Sequence, residues 1–174
     1  IAEYDPLHTG HAWHIAQARA ASGDEPTVVV MSCCFTQRGM PALLSPHARA
    51  EMALRAGADI VLGLPVSFSV CEAARTGLVH TLSFGVEPGN EDCILPAAQL
   101  LETPDSAFQA ALRKGLDQGL PFPRAQGEAL AVRLGLPPDC LAAPNTVLAV
   151  CYARANLRLN AGLALHPIPR RGAY

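Results

Sequence analysis

The feature that most constrains the fold is an alternation of short apolar runs with alanine-rich helical segments in the first half of the chain. Three runs have the length and β-branched content of buried strands, at residues 26–31, 58–64 and 80–84. Helical patterns precede and separate them, at residues 10–22 and 46–56, the second with Ser45 as its N-cap and Pro46 at its first position. Strands that alternate with helices of this length predict βαβ units and a parallel sheet, so the fold class is α/β.

The second half of the chain changes to helical patterns. Helices are predicted at residues 96–101, 105–118, 123–134 and 145–156, and a last strand at residues 163–166. No low-complexity linker interrupts the sequence. We therefore predict a single domain over residues 1–174, in which a parallel sheet flanked by helices carries extra helices in its second half.

Composition excludes several classes of protein. Half of the 174 residues are hydrophobic and 16% are charged, which excludes a disordered chain. The net charge of −2 gives no basic footprint for nucleic acid, and the longest apolar runs are far below the roughly 20 residues of a membrane span. The six cysteines lack CxxC spacing, so we expect mostly buried free thiols in a reducing compartment, the cytoplasm.

Residues 3–11 carry the most chemical information, because they follow a strand end and open a helix. Their His-x-Gly-His pattern is formed by His8, Gly10 and His11. A glycine lets the backbone approach a phosphate, and a helix N-terminus offers free N–H groups and a partial positive charge. The two imidazoles can donate hydrogen bonds to the oxygens of a reacting phosphate, and Pro6 stiffens the loop that presents them.

Two other interpretations of these histidines stand beside this one. They could be loop residues without a role, or His8, His11 and His14 could bind a metal ion, since they are spaced by three. No cysteine or carboxylate ligand is tied to them by spacing, so we predict no metal site. His14 then fits a helix-face residue that packs beside Trp13.

Further sequence blocks follow this motif in a specific order. They are Gln37-Arg38-Gly39, EMALRAGAD at residues 51–59, Ser83-Phe84-Gly85, Pro144-Asn145 and RRGA at residues 170–173. The His-x-Gly-His motif resembles that of the HIGH-type nucleotidyltransferase superfamily. In order and spacing, the whole set resembles the bacterial tRNA(Met) cytidine acetate ligase family, over nearly the entire chain.

This resemblance implies a Rossmann-like, HUP-type nucleotidyltransferase fold and an ATP-dependent reaction. The family activates acetate as acetyl-adenylate, releases pyrophosphate, and transfers the acetyl group to N4 of the wobble cytidine of elongator tRNA(Met). It implies Mg2+ with the triphosphate and tRNA(Met) as a partner of the full-length protein. By position, His8 and His11 would be the catalytic residues, and the nucleotide would contact Pro6, Leu7, Gly10, Gln37, Arg38, Gly85, Asn145 and Arg170.

The chain also departs from the family pattern. Asp5 replaces an asparagine, which would bring a carboxylate close to the phosphates, and Cys33-Cys34, Met40 and Cys151 replace other family residues. Ile1 has the character of a strand end, and family members continue past the Arg-Gly-Ala motif, so we expect truncation at both ends. The alternatives are an adenylyltransferase for a phosphorylated metabolite, and a nucleotide-binding module without catalysis.

Three of the candidate polar residues also have structural interpretations. Arg38 could pair with a surface carboxylate instead of facing a ligand. Arg49 could be structural or could reach an anion, and Asn145 could be an N-cap. Glu51 and Arg55 are spaced as an i,i+4 ion pair on a helix.

Overall fold

The computed structural model describes residues 2–23, 25–34, 36, 40–64, 79–137 and 140–170. Its helices and strands confirm the predicted α/β pattern, with every predicted segment found and its ends displaced by three residues or fewer. The elements in chain order are α1 (Thr9–Ala21), β1 (Val28–Ser32), α2 (Pro46–Arg55), β2 (Ile60–Leu64), β3 (Thr81–Val86), a 3-10 turn (Glu91–Cys93), α3 (Ile94–Glu102), α4 (Ser106–Asp117), α5 (Phe122–Leu134), α6 (Pro144–Arg158) and β4 (Ala164–Pro169).

The chain divides into two compact units. The first, here called the strand unit, comprises Ile1–Phe84 and Leu163–Tyr174, and the second, the helical unit, comprises Gly85–Gly162. The strand unit contains the His-x-Gly-His segment, whereas the helical unit contains the helices of the second half. The single domain expected over residues 1–174 stays a prediction.

Parallel pairing organises the strand unit. β1 pairs with β2 in parallel, from Val28 opposite Ile60 to Ser32 opposite Leu64. On the other edge of β1, the Ala2 amide donates to the Val30 carbonyl at 2.9 Å and the Ser32 amide donates to the Ala2 carbonyl at 3.2 Å. β3 and β4 pair with each other. The chain therefore enters the His-x-Gly-His loop from a residue that is already part of the β1 ladder.

The core of the strand unit fixes the helices against β1. Its buried side chains come from the loop before α1, from both helices, from β1 and from the loop before β2, and are Tyr4, Ile15, Val29, Met31, Ala53 and Ala58. The Ser45 side chain accepts a hydrogen bond from the Ala48 amide and Pro46 opens α2, as predicted. Gly57 ends this helix with a φ of 108°, a conformation that other residues rarely adopt.

The helical unit packs its helices in pairs and buries several of their alanines. α3 packs against α6, and α4 packs against α5. The buried alanines on these helices include Ala97, Ala98, Ala129, Ala149 and Ala153. Asp105 caps α4 by accepting a hydrogen bond from the Phe108 amide at 2.7 Å, and Gly135 ends α5 in the left-handed conformation.

The cysteines are less uniformly buried than expected. Cys33, Cys34, Cys93, Cys140 and Cys151 are all free thiols, whereas Cys71 lies outside the described residues. Cys93 and Cys140 are buried with their sulfurs 3.6 Å apart, but Cys34 and Cys151 are exposed. No helix in the described part of the chain is long and apolar enough to cross a membrane.

Candidate active site at the start of helix α1

A short loop carries the chain from the β1 ladder into α1. Tyr4 has a φ of 51°, an uncommon conformation for a residue with a side chain, and its ring is only 4% exposed. Burial raises the pKa of Tyr4 to about 12, so the phenol keeps its proton at neutral pH. The Asp5–Pro6 peptide bond is cis, and His8 follows two residues later as the N-cap of α1.

The two histidines cap the helix reciprocally. His8 Nδ1 accepts a hydrogen bond from the Gly10 amide at 3.1 Å, and His11 Nδ1 accepts one from the His8 amide at 3.3 Å. Their rings stack, with centroids 3.7 Å apart and planes 24° apart. The sequence predicted a helix that opens here, but not that the histidines themselves satisfy its first N–H groups.

This capping decides which ring nitrogen can act on a ligand. In each ring Nδ1 is an acceptor, so a neutral imidazole in this arrangement carries its proton on Nε2. His8 and His11 can therefore each offer one Nε2–H donor while their Nδ1 atoms hold the helix start. The remaining N–H groups at the helix start add partial positive charge.

Gly10 is needed for the position of the His8 ring. A Cβ atom at Gly10 would lie 3.1 Å from His8 Cε1 and 3.2 Å from His8 Nδ1. Any larger residue would push this ring away from the amide that it caps. Gly10 thus leaves room for the capping ring of His8. This role is additional to the close approach to a phosphate that the sequence predicts.

Burial keeps two histidines of α1 neutral. Burial is the largest cause lowering the pKa of His11 to about 4, followed by the nearby charges of His8, His14 and Arg170. Burial also lowers the pKa of His14 to about 4. His14 Nε2 lies 3.2 Å from Ser83 Oγ, and both residues line a cavity of about 370 Å³ that β1, β3 and β4 border.

These lowered pKa values predict that the protein loses stability between about pH 7 and pH 5. Over this range the unfolded chain, with ordinary histidine pKa values near 6.5, takes up protons that the folded His11 and His14 do not. The loss should be on the order of 1–2 kcal/mol for the two rings together, after allowance for solvent screening. Urea unfolding at several pH values measures it.

The control for this pH dependence is an exposed histidine. The double variant His11→Gln/His14→Gln should flatten the dependence, whereas replacing His47, an exposed residue in the first turn of α2, by glutamine should leave it unchanged. An equal pH dependence of the free energy of unfolding in the wild type and in both variants would contradict the assignment of this loss to His11 and His14.

Asp5 and Arg49 have partners that the sequence did not reveal. Asp5 Oδ2 and Oδ1 accept hydrogen bonds from the Leu43 and Leu44 amides, at 2.6 and 2.9 Å. These bonds lower the pKa of Asp5, so its carboxylate is engaged with the backbone before α2. Arg49 is completely buried and donates to the carbonyls of Glu3, Leu44 and Cys33, which supports the structural interpretation rather than the anion contact.

The other candidate residues are distributed along the chain. Pro6, Leu7 and Gly10 lie in or next to the loop that leads into α1, and Arg170 follows β4 in the strand unit. The charge of Arg170 contributes to the low pKa of His11, which places Arg170 within electrostatic reach of that ring. Gln37 and Arg38 lie outside the described residues.

Gly85 and Asn145 differ in detail from their predicted positions. Gly85 lies inside β3, which ends at Val86, and not after the strand. Asn145 is the second residue of α6, whose N-cap is Ala143, so the N-cap interpretation was wrong. Asn145 Nδ2 instead donates to Glu87 Oε1 at 2.7 Å.

Glu87 supports Asn145 and the start of α6, a role that the sequence did not reveal. Within the helical unit, its Oε2 accepts hydrogen bonds from the Thr146 amide at 2.9 Å and the Thr146 hydroxyl at 2.7 Å. Burial acts to raise the pKa of Glu87, but the hydrogen bonds from Thr146 and Asn145 outweigh it and lower that pKa. Glu87 therefore holds the start of α6 and the Asn145 side chain. Its sequence position, 58 residues from its partner, gives no local signal.

Among the residues that the structure describes, no three His, Cys, Asp or Glu side chains are grouped so that they could hold a metal ion. His8 and His11 use their Nδ1 atoms for helix capping, and His14 lies close to Ser83.

Comparison with known proteins relates the whole chain to one family. The model of the HIGH Nucleotidyl Transferase family matches residues 1–174. The tRNA(Met) cytidine acetate ligase of Halothermothrix orenii is 33% identical over 193 residues, covering 99% of this chain and 46% of that protein. The protein of the same name from Geobacillus sp. (strain WCH70) is 37% identical over 168 residues, covering 91% of this chain and 42% of that protein.

Solved structures agree with this relationship. The crystal structure of Thermotoga maritima TmcAL bound with alpha-thio ATP matches with a TM-score of 0.87 and 34% identity, over 98% of this chain and 45% of that one. The apo crystal structure of the same protein gives a TM-score of 0.86. The chain spans about half the length of the curated relatives it matches. By sequence and by fold, the chain belongs to the HIGH nucleotidyl transferase family.

Proposed function

We propose that this chain is the catalytic part of an ATP-dependent ligase that activates acetate as acetyl-adenylate. The acetyl group would then pass to N4 of the wobble cytidine of elongator tRNA(Met), in the cytoplasm. The names of the relatives, tRNA(Met) cytidine acetate ligase, and the ATP analogue in the Thermotoga maritima structure support this substrate set.

The observation that carries the proposal is the reciprocal cap formed by His8 and His11. It presents two imidazole Nε2–H donors beside a helix N-terminus, and the absence of a side chain at Gly10 leaves room for the His8 ring. Fixed donors of this kind stabilise negative charge that develops on phosphate oxygens in a transition state. Because the low pKa of His11 keeps its ring neutral, that ring acts as a donor and not as a cation.

The first step is an in-line displacement at the α-phosphorus of ATP. A carboxylate oxygen of acetate forms the new P–O bond, and the bond to the bridging oxygen of the β-phosphate breaks, so that pyrophosphate leaves with that oxygen. In the second step the cytidine N4 attacks the acetyl carbonyl, AMP leaves, and the amine gives up one proton. The contribution of His8 and His11 is to position the triphosphate and to offset its developing charge.

The remaining contacts are proposed from the family pattern. Gln37, Arg38 and Arg170 are proposed to bind the nucleotide, and Gly85 and Asn145 to border it, with Pro6 and Leu7 in the loop before His8. We also propose that Mg2+ accompanies the triphosphate, because this ion typically keeps several waters and binds through substrate phosphates. Such an ion would neutralise part of the triphosphate charge.

Pyrophosphate exchange tests the proposal. Labelled pyrophosphate should enter ATP only when acetate is present, because the adenylate forms reversibly before any tRNA is needed. Exchange with none of a panel of small carboxylates would contradict the ligase. ATP binding by calorimetry without exchange would then indicate a nucleotide-binding module, and adenylyl transfer to a phosphorylated metabolite would indicate another adenylyltransferase.

A further inference from the structure

We propose that Arg49 and Asp5 are positioning residues for the reaction at the start of α1. Together they form a clamp, defined here as these two side chains and the backbone groups they bind. The inference rests on the proposed role of His8 and His11 and adds a cause for their placement. Neither Arg49 nor Asp5 is proposed to touch the nucleotide.

Arg49 joins three separate stretches of backbone. Its Nε donates to the Leu44 carbonyl at 3.1 Å, its Nη1 to the Glu3 carbonyl at 2.7 Å, and its Nη2 to the Cys33 carbonyl. Each guanidinium nitrogen is thus used on a backbone oxygen, and the residue is completely buried. Because the guanidinium is planar and rigid, it fixes these three carbonyls relative to one another.

Asp5, in the loop before α1, completes the clamp. Its two carboxylate oxygens accept hydrogen bonds from the Leu43 and Leu44 amides. Leu44 therefore donates to Asp5 with its N–H group and accepts from Arg49 with its carbonyl. The opposite charges of Asp5 and Arg49 attract each other within this arrangement.

The clamp binds the residues directly before and after Tyr4 in the sequence. Arg49 binds the carbonyl of Glu3, directly before Tyr4, and Asp5 directly follows it. Tyr4 has the left-handed φ of 51°, which a residue with a side chain adopts only when its surroundings impose it. Bonds on either side of this residue supply that constraint.

Tyr4 connects the clamp to the histidines. Its ring meets the His11 ring edge to face, with centroids 5.0 Å apart, and its side chain belongs to the buried core of the strand unit. Without the clamp, Tyr4 could relax to an ordinary backbone conformation and His11 would lose this contact. A shift of about 1 Å in a positioning group is enough to lower a reaction rate roughly 100-fold.

The test combines four variants with two readouts. Asp5→Ala removes both acceptors, Asp5→Asn retains one, and Arg49→Lys retains charge without the planar fork. Arg55→Lys is the matched control, because Arg55 lies on the same helix, is 79% exposed and pairs with Glu51 of α2. The readouts are the NMR signals of the His8 and His11 rings in the ligand-free protein, and kcat and KM for pyrophosphate exchange.

We expect the signals of both rings to shift in Asp5→Ala and Arg49→Lys while the protein stays folded by circular dichroism. We also expect kcat to fall by about 100-fold in Asp5→Ala and less in Asp5→Asn, with smaller changes in the KM for ATP. The control should match the wild type in both readouts.

Two results would overturn the clamp. One is unchanged ring signals in a folded Asp5→Ala variant, and the other is shifted ring signals with wild-type kcat. Asp5 carries this test even where an Arg49 variant does not fold, because removal of its side chain leaves the buried guanidinium in place. Absence of exchange in the wild type would instead contradict the proposed function, and the ring signals would still decide whether the clamp places the histidines.

Discussion

The His11→Ala variant is expected to lower the rate of acetate-dependent pyrophosphate exchange by about 100- to 1,000-fold, as for the loss of one charge-stabilising donor at a reacting centre. The substitution removes the Nε2–H donor and also the Nδ1 acceptor that binds the His8 amide at 3.3 Å. It ends the stacking with the His8 ring as well. Both effects act on the same helix start, so His8→Ala should be similarly impaired.

His47→Ala is the matched control for this variant. His47 is an exposed histidine in the first turn of α2, within the same strand unit, and its loss should leave exchange at the wild-type rate. Thermal unfolding should be followed in parallel, so that loss of fold is separated from loss of chemistry. Exchange in a folded His11→Ala protein at the wild-type rate would remove His11 from the mechanism.

The Glu87→Ala variant is expected to destabilise the protein by about 2–4 kcal/mol, because several charge-assisted hydrogen bonds are lost together. The carboxylate accepts from the amide and side chain of Asn145 and from the amide and hydroxyl of Thr146. Thr146 is completely buried, so its hydroxyl and amide would lose a partner that water cannot easily replace. Urea unfolding measures the loss.

Two comparisons sharpen this second prediction. Glu128→Ala removes an exposed glutamate that pairs with Arg124 on α5, and should change stability by less than about 0.5 kcal/mol. Glu87→Gln keeps the shape of the side chain but not its charge. Because the pKa of Glu87 is lowered, its ionised form stabilises the fold above the ordinary carboxyl pKa of 4.5. The advantage of wild type over Glu87→Gln should therefore shrink as the pH falls below that value.

Local rules were sufficient for most of the secondary structure. The N-cap at Ser45 and the proline after it marked the start of α2, and the β-branched run marked β1. The predicted i,i+4 ion pair is also present, with Arg55 Nη2 at 2.5 Å from Glu51 Oε1. These features depend on neighbours in sequence, which is why a linear pattern determines them.

Local rules did not extend to the polar partners of the loops. The carboxylate of Asp5 binds amides 38 and 39 residues away, partners that no local pattern indicates. The two alternatives for Arg49 could not be separated by sequence, because only the folded loops bring its three carbonyl acceptors together. Asn145 was interpreted as an N-cap because the partner of its side chain, Glu87, is remote in sequence.

Periodicity and caps are local, so the sequence predicted the class of fold and the order of its elements correctly, and the local His-x-Gly-His spacing marked the segment that we propose to carry the chemistry. How that segment is held depends on contacts that form only in the folded chain. The neutral state of His11 depends on its burial in the fold, and the placement of its ring depends on the Asp5–Arg49 clamp and the strained Tyr4 between its two arms. Burial and hydrogen bonds between remote residues exist only once the chain has folded, and for that reason no linear pattern reports them.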